Sequence, residues 1–190
     1  MKKINIISLL LLISALLTMN LHCEKDDPQV DFTNSQNQLP PITTTGANTF
    51  GCTVNGKNWV AYTDYSFPKL RTFYDKKSGS LDIVADRRRK NQSGNDEIRI
   101  TGYGVLIPGK YLLGYYLSTN ARGYISYAPP NSMAYTYATN NTYSGELNVL
   151  YIDTIHRTIS GTFKAQLSFY DTTIVDTIYN LESGRFDVKY

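Results

Sequence analysis

Thr158-Ile-Ser-Gly-Thr-Phe-Lys-Ala-Gln-Leu-Ser-Phe169 is the stretch that decides the fold. Ile159, Gly161, Phe163, Ala165, Leu167 and Phe169 alternate with Thr158, Ser160, Thr162, Lys164, Gln166 and Ser168. A period of two held over this length sets one face of a strand in a core and the other in water. Residues 143–152 read the same way, with Leu147, Val149 and Tyr151 on one side. Near the C-terminus Phe186, Val188 and Tyr190 alternate with Arg185, Asp187 and Lys189. Asn55-Gly56, between 50–54 and 57–62, predicts a two-residue hairpin, because both turn positions need positive φ. Shorter strands are predicted at 70–74, 81–85, 97–103, 110–116, 124–127, 133–138 and 174–178. Gly, Pro, Asn and Asp break the chain between them, as at Ser78-Gly79, Pro108-Gly109 and Pro129-Pro130-Asn131. About ten short strands with no 3.6-residue period predict an all-β, antiparallel β-sandwich; a lipocalin-like β-barrel is the alternative, which pattern does not separate from it.

Composition narrows the function classes. Of 190 residues, 42% are apolar, 13% aromatic and 18% charged, with a formal charge of +3. This is globular composition, too aromatic for a disordered chain. Lys+Arg 19 against Asp+Glu 16 lacks the basic excess of a nucleic-acid binder. Two His and two Cys leave little material for a zinc site, a haem or a disulfide framework, so no cofactor is expected.

The first residues give an address. Lys2 and Lys3 precede Ile4 to Leu17, apolar apart from Asn5, Ser8 and Ser14. As a helix this run reaches about 21 Å, short of the ~30 Å hydrocarbon core, so it reads as a signal-peptide core rather than a span. Leu21-His22-Cys23-Glu24-Lys25-Asp26-Asp27 resembles a bacterial lipoprotein signal, with Cys23 acylated as the mature first residue. The Lys-plus-acid run after Cys23 resembles the surface-export signal of Bacteroidota lipoproteins. Asn20 and His22 depart from that pattern. At roughly 0.8 kcal/mol per buried methylene, two or three acyl chains hold a protein on a membrane. The expected organisation is a signal peptide at 1–22, a lipidated Cys23 with a flexible tether to 45, and one all-β domain over 46–190. The tether contains Pro28, Pro40 and Pro41 and few large apolar residues.

Candidate chemistry is sparse. With His22 removed, His156 is the one base left for nucleophilic catalysis, and Asp153-Thr154-Ile155-His156-Arg157 reads as a hairpin turn. Glu97, Glu146 and Glu182 are the glutamates of the domain, and a carboxylate-pair hydrolase is the enzymatic alternative to a non-enzymatic protein. Cys52 alternates inward with Phe50 and Val54 and reads as an inert buried thiol. Asn91-Gln92-Ser93-Gly94-Asn95-Asp96-Glu97 spaces side-chain oxygens but lacks the closing Glu of a calcium loop. Arg87, Arg88, Arg89 and Lys90 read as a solvated run, with contact to an anionic lipid or acidic polysaccharide as the sharper alternative.

Tyrosine is the compositional oddity, with sixteen residues. Tyr rings suit both strand packing and carbohydrate stacking. The functional expectation is a glycan platform of Tyr115, Tyr124, Tyr127, Tyr135 and Tyr137 around Pro129-Pro130, with Trp59 as the single tryptophan. Thr154, Thr172 and Thr177 each follow an Asp, in a pattern that resembles the O-glycosylation acceptor of exported Bacteroidota proteins.

Leu39-Pro40-Pro41-Ile42-Thr43, Gly46-Ala47-Asn48-Thr49-Phe50-Gly51-Cys52 and Val54-Asn55-Gly56-Lys57 resemble the opening signature of an uncharacterised Bacteroidota lipoprotein family. Ser160-Gly161-Thr162-Phe163 and Gly184-Arg185-Phe186-Asp187-Val188-Lys189-Tyr190 resemble its closing signature. That resemblance implies a lipoprotein β-domain and supplies no catalytic residue. The expectation is an outer-membrane lipoprotein, possible at the cell surface, that binds a glycan or an envelope protein; a lipocalin-like carrier of a small apolar ligand is the alternative.

Overall fold

The computed structural model describes residues 38–88, 90, 95–114, 121–130, 136–169 and 177–190. Among them every regular element is a strand, and the protein is all-β. The strands are β1 (Thr49–Val54), β2 (Lys57–Val60), β3 (Tyr62–Thr63), β4 (Leu70–Asp75), β5 (Ser80–Arg88) and β6 (Asp96–Gly102). They continue with β7 (Gly109–Leu113), β8 (Gly123–Ala128), β9 (Tyr137–Ala138), β10 (Gly145–Asp153), β11 (Thr158–Phe169) and β12 (Tyr179–Lys189). The strand predicted from alternation is β11, with the expected bounds. The Asn55-Gly56 turn has φ of 48° and 76°, the left-handed pair that the hairpin needs.

The strands form one nearly closed twelve-stranded sheet whose order runs from β2 at one end to β3 at the other. β1 pairs with β2, and the chain crosses at Ala61 into β3, which lies beside β5. From there the order runs β5, β6, β8, β9, β11, β12 and back to β1. Two long strands make this closure possible by dividing one edge between two partners. β11 gives its first residues to β10 and Ser168 and Phe169 to β9. β5 gives 80–85 to β4 and 87–88 to β3. The β3–β5 pair is parallel, a departure from the all-antiparallel expectation, because the chain enters β3 directly from β2 instead of turning back from β5.

Three strand predictions need correction. β5 runs on through Asp86, Arg87 and Arg88, where charge predicted a loop. β12 begins at Tyr179, well before the alternating segment. Its first half hides a bulge: the registers with β1 and β11 both slip around Ser183, which has φ of 51°. The strand predicted over 174–178 is not found at 177–178, and its other residues lie outside those described.

Beside the bulge, β11 and β12 exchange rings for glycines. Gly161 pairs with Phe186 and Phe163 with Gly184. A Cβ on Gly161 would lie 2.8 Å from the Phe186 ring and 2.4 Å from Asn148 O; one on Gly184 would lie 2.5 Å from both the ring and the carbonyl of Phe163. Each phenylalanine thus covers the opposite glycine. Phe163 also packs on Phe50 at 5.1 Å between ring centroids. The interior is filled by one cluster of buried side chains that includes Phe50, Trp59, Leu81, Ile98, Leu147 and Leu181.

The end of the expected tether is docked. Asp187, 1% exposed on the outer face of β12, accepts hydrogen bonds from Thr43 Oγ1 (2.6 Å), Thr45 N (2.9 Å), Gly46 N (2.8 Å) and Ala47 N (3.2 Å). Arg185 Nη1 donates to Pro40 O at 3.2 Å. Residues 40–45 are expected to be part of a flexible tether because the segment buries little apolar surface, yet a buried carboxylate gives Thr43 and Thr45 a partner inside the fold.

Candidate functional site

The site lies at one end of the sheet. There β5 and β8 finish, β12 begins and the β1–β2 hairpin turns, and together they enclose a recess of about 720 Å³. Trp59, Arg87, Tyr127 and Tyr179 line it, together with Val54, Asn55, Gly56, Lys57 and Asn58 of the hairpin. Trp59 is 1% exposed because alternation along β2 turns it inward against Phe50, edge to face at 5.9 Å.

Behind this wall sits Asp96, 3% exposed at the start of β6. Trp59 Nε1 donates to its Oδ2 at 2.8 Å, and Arg87 grips both oxygens, Nε to Oδ1 at 3.0 Å and Nη2 to Oδ2 at 2.5 Å. Tyr127 OH reaches Oδ2 at 3.4 Å. Arg87 also lies over the Trp59 ring, 5.5 Å from its centroid. A buried carboxylate needs both charge compensation and hydrogen bonds, and Asp96 has both. The result is an arginine fixed in two directions, its fork by Asp96 and its face by Trp59. Burial, reinforced by Asp96 and against the pull of Arg87, pushes the Tyr127 hydroxyl well above its usual range, so it stays a neutral hydrogen-bond donor. Burial also pushes the Cys52 thiol far up, opposed by Arg87 and reinforced by Asp96, which suits an inert thiol.

Aromatic rings extend the site along one wall. Tyr179 stands edge to face against Tyr127 at 5.0 Å and against Tyr137 at 4.7 Å, and Tyr137 leans on Phe169 at 5.7 Å. The structure therefore brings together Trp59, Tyr127, Tyr137 and Arg87 of the predicted site residues. It separates Tyr124, which lies three residues before Tyr127 on a strand of period two and so faces the other side of the sheet. There Tyr124 belongs to an outer row with Thr101 and Asp82, beside the Arg99–Asp82 ion pair at 2.7 Å. Tyr115 and Tyr135 lie outside the described residues.

Arg87 and Arg88 of the basic run belong to β5 and not to a solvated loop. Arg87 is committed to Asp96, and Arg88 pairs with the buried Asp86 at 2.9 Å while covering the Phe67 ring at 4.7 Å. Lys90 is exposed and its N–H donates to Asp64. Arg89 lies outside the described residues, as do Cys23 and Thr172. Thr154 is exposed at the β10–β11 turn and Thr177 is exposed just before β12. His156 is an exposed turn residue, its Nδ1 2.7 Å from Asp153 Oδ2. Glu146 and Glu182 line one shallow outer groove of about 330 Å³; there Glu146 lies 3.5 Å from Lys110 Nζ. Glu97 pairs with Arg71 at 3.1 Å. No group of three or more metal-ligating side chains occurs among the described residues.

Asp96 and Tyr179 are the residues that sequence reasoning missed. Asp96 was grouped with a polar loop, although its position one step outside an alternating strand could have marked it as inward-facing. Tyr179 was lost with the first half of β12. Compared with protein-family models, curated proteins and solved structures, the chain has no match, so its functional reading rests on the geometry of this recess.

Proposed function

We propose that the protein is a non-enzymatic glycan-binding module of the cell envelope, an outer-membrane lipoprotein held by an acylated Cys23 and carrying its domain at the cell surface. The observation that carries the binding assignment is the open recess of about 720 Å³, walled by Tyr127 and Tyr179 and furnished with donors from Lys57 and an immobilised Arg87. Sugars present alternating C–H faces and hydroxyl edges, and such a wall answers both, with rings for the faces and fixed donors for the edges. A small apolar ligand needs a dry hollow instead, and the interior of this sheet is occupied by packed side chains.

Isothermal titration of the full mature chain against a panel of oligosaccharides tests the assignment. Binding to a panel member that is lost in Tyr179→Ala, with the melting transition retained, supports it. Flat traces across the panel overturn it. Mass spectrometry of the mature N-terminus tests the anchor: a diacylated or triacylated peptide beginning at Cys23 is expected, and an unmodified peptide beginning elsewhere removes it.

A further inference from the structure

Resting on the glycan-binding reading above, we propose that the recess selects an acidic sugar, a uronate or a sulfated residue whose oxyanion seats against Lys57 and Arg87. The sign of the wall carries this. Lys57 and Arg87 are the charged residues among the described lining, and no carboxylate is among them.

Asp96 lies behind the wall with both oxygens engaged, by Arg87, Trp59 and Tyr127. It offsets the charge of Arg87 and has little acceptor capacity left for a sugar hydroxyl. Lys57, exposed at the start of β2, has no ion-pair partner among the described residues. Among the described residues one positive charge therefore remains uncompensated at the mouth.

Arg87 adds geometry to that charge. Its bonds to Asp96 use Nε and Nη2, which leaves Nη1 to serve the recess. Held from behind by Asp96 and against the ring of Trp59, it meets an oxyanion without first giving up rotamer freedom. A neutral sugar would use the rings and hydroxyl bonds and leave the charge of Lys57 unanswered.

The test uses the full mature chain and pairs of oligosaccharides that differ only in charge: oligogalacturonates with their methyl esters, and sulfated chondroitin fragments with their desulfated forms. Sodium sulfate alone is a third arm. The acidic member of at least one pair is expected to bind about tenfold tighter than its neutral partner. That margin should shrink between about 0.05 and about 0.5 M salt. Lys57→Ala should reduce the margin to near nothing by weakening the acidic member far more than the neutral one, with the melting transition in place. Equal affinities within every pair, or a margin unaffected by Lys57→Ala, overturns the charge selection and leaves glycan binding standing. Sulfate alone binding as tightly as the acidic sugar overturns the sugar part of the inference. Absence of binding by every oligosaccharide, neutral or acidic, overturns this inference and the glycan reading together.

Discussion

Asp187 and Asp96 are buried almost equally, 1% and 3% exposed, and the fold uses them for opposite ends. Asp187 is satisfied by neutral donors, threonine hydroxyls and backbone N–H groups of 43–47, and the chain that supplies those donors covers it. Tyr74 meets Tyr190 edge to face at 5.0 Å and donates to Val105 O at 2.7 Å. Asp96 is satisfied by a cation and an indole that themselves line an open recess. A carboxylate answered by backbone becomes a clasp, because its donors cannot move without moving the chain. A carboxylate answered by side chains becomes a support, because its donors keep other surfaces with which to meet a ligand.

Removing the charge of each aspartate separates the two roles. Asp96→Asn leaves Arg87 uncompensated beside a buried amide, and the expected loss is about 3 kcal/mol, the low end for breaking a buried ion pair, since Arg87 keeps some solvent. Urea unfolding measures this, and amide exchange of residues 43–47 should stay as slow as in the parent. Asp187→Asn should cost less, about 2 kcal/mol, because hydrogen bonds to a charged acceptor are weakened without stranding a cation. Its signature is local: exchange at Thr45, Gly46 and Ala47 accelerates while recess binding is unchanged. If either variant disturbs both ends equally, the division of roles is wrong.

Acid makes the same cut without a mutation. Burial of Asp187 favours its neutral form, but the hydrogen bonds from Thr43, Ala47, Gly46 and Thr45 outweigh that and hold its pKa below the ordinary carboxylate value. The folded-state pKa is depressed, so the stability it confers is complete above roughly pH 4 and is lost as pH falls through the native value. The turn residues Asp75 and Asp153 are also depressed, by hydrogen bonds from Ser78 and Lys77 and from His156 respectively, so global unfolding mixes all three. Exchange at 45–47 isolates the clasp. Those amides should lose protection in acid in the parent, and in Asp187→Asn they should be fast already at neutral pH.

What the sequence discloses divides along similar lines. β11 and the β1–β2 hairpin are legible because their signals, alternation and Asn55-Gly56, are local. β12 is half legible because the Ser183 bulge breaks the period that Phe186 and Val188 display. The arginine run misleads because nothing local reveals that its partners are buried: Asp86, on the outer face of β5, and Asp96, facing inward from β6, turn a charged loop pattern into a strand end. The clasp is illegible for the same reason, since Asp187 and its donors lie more than 130 residues apart. Tyr124 and Tyr127 are a different matter. Their odd spacing on a strand already placed them on opposite faces, and grouping them by composition ignored it.

Within the support at Asp96 the donors should rank by distance. Trp59 Nε1 lies at 2.8 Å and Tyr127 OH at 3.4 Å from the same oxygen. Trp59→Phe withdraws a well-placed donor and some buried surface, for an expected loss of about 1–2 kcal/mol. Tyr127→Phe should move stability by less than about 0.5 kcal/mol, since the bond lost is long and Asp96 retains Arg87 and Trp59. The ring also remains to pack on Tyr179, so binding at the recess should survive the substitution. A Tyr127→Phe loss as large as that of Trp59→Phe would mean that the hydroxyl, and not the indole, is the second anchor of Asp96. The recess would then be organised from β8 and not from β2.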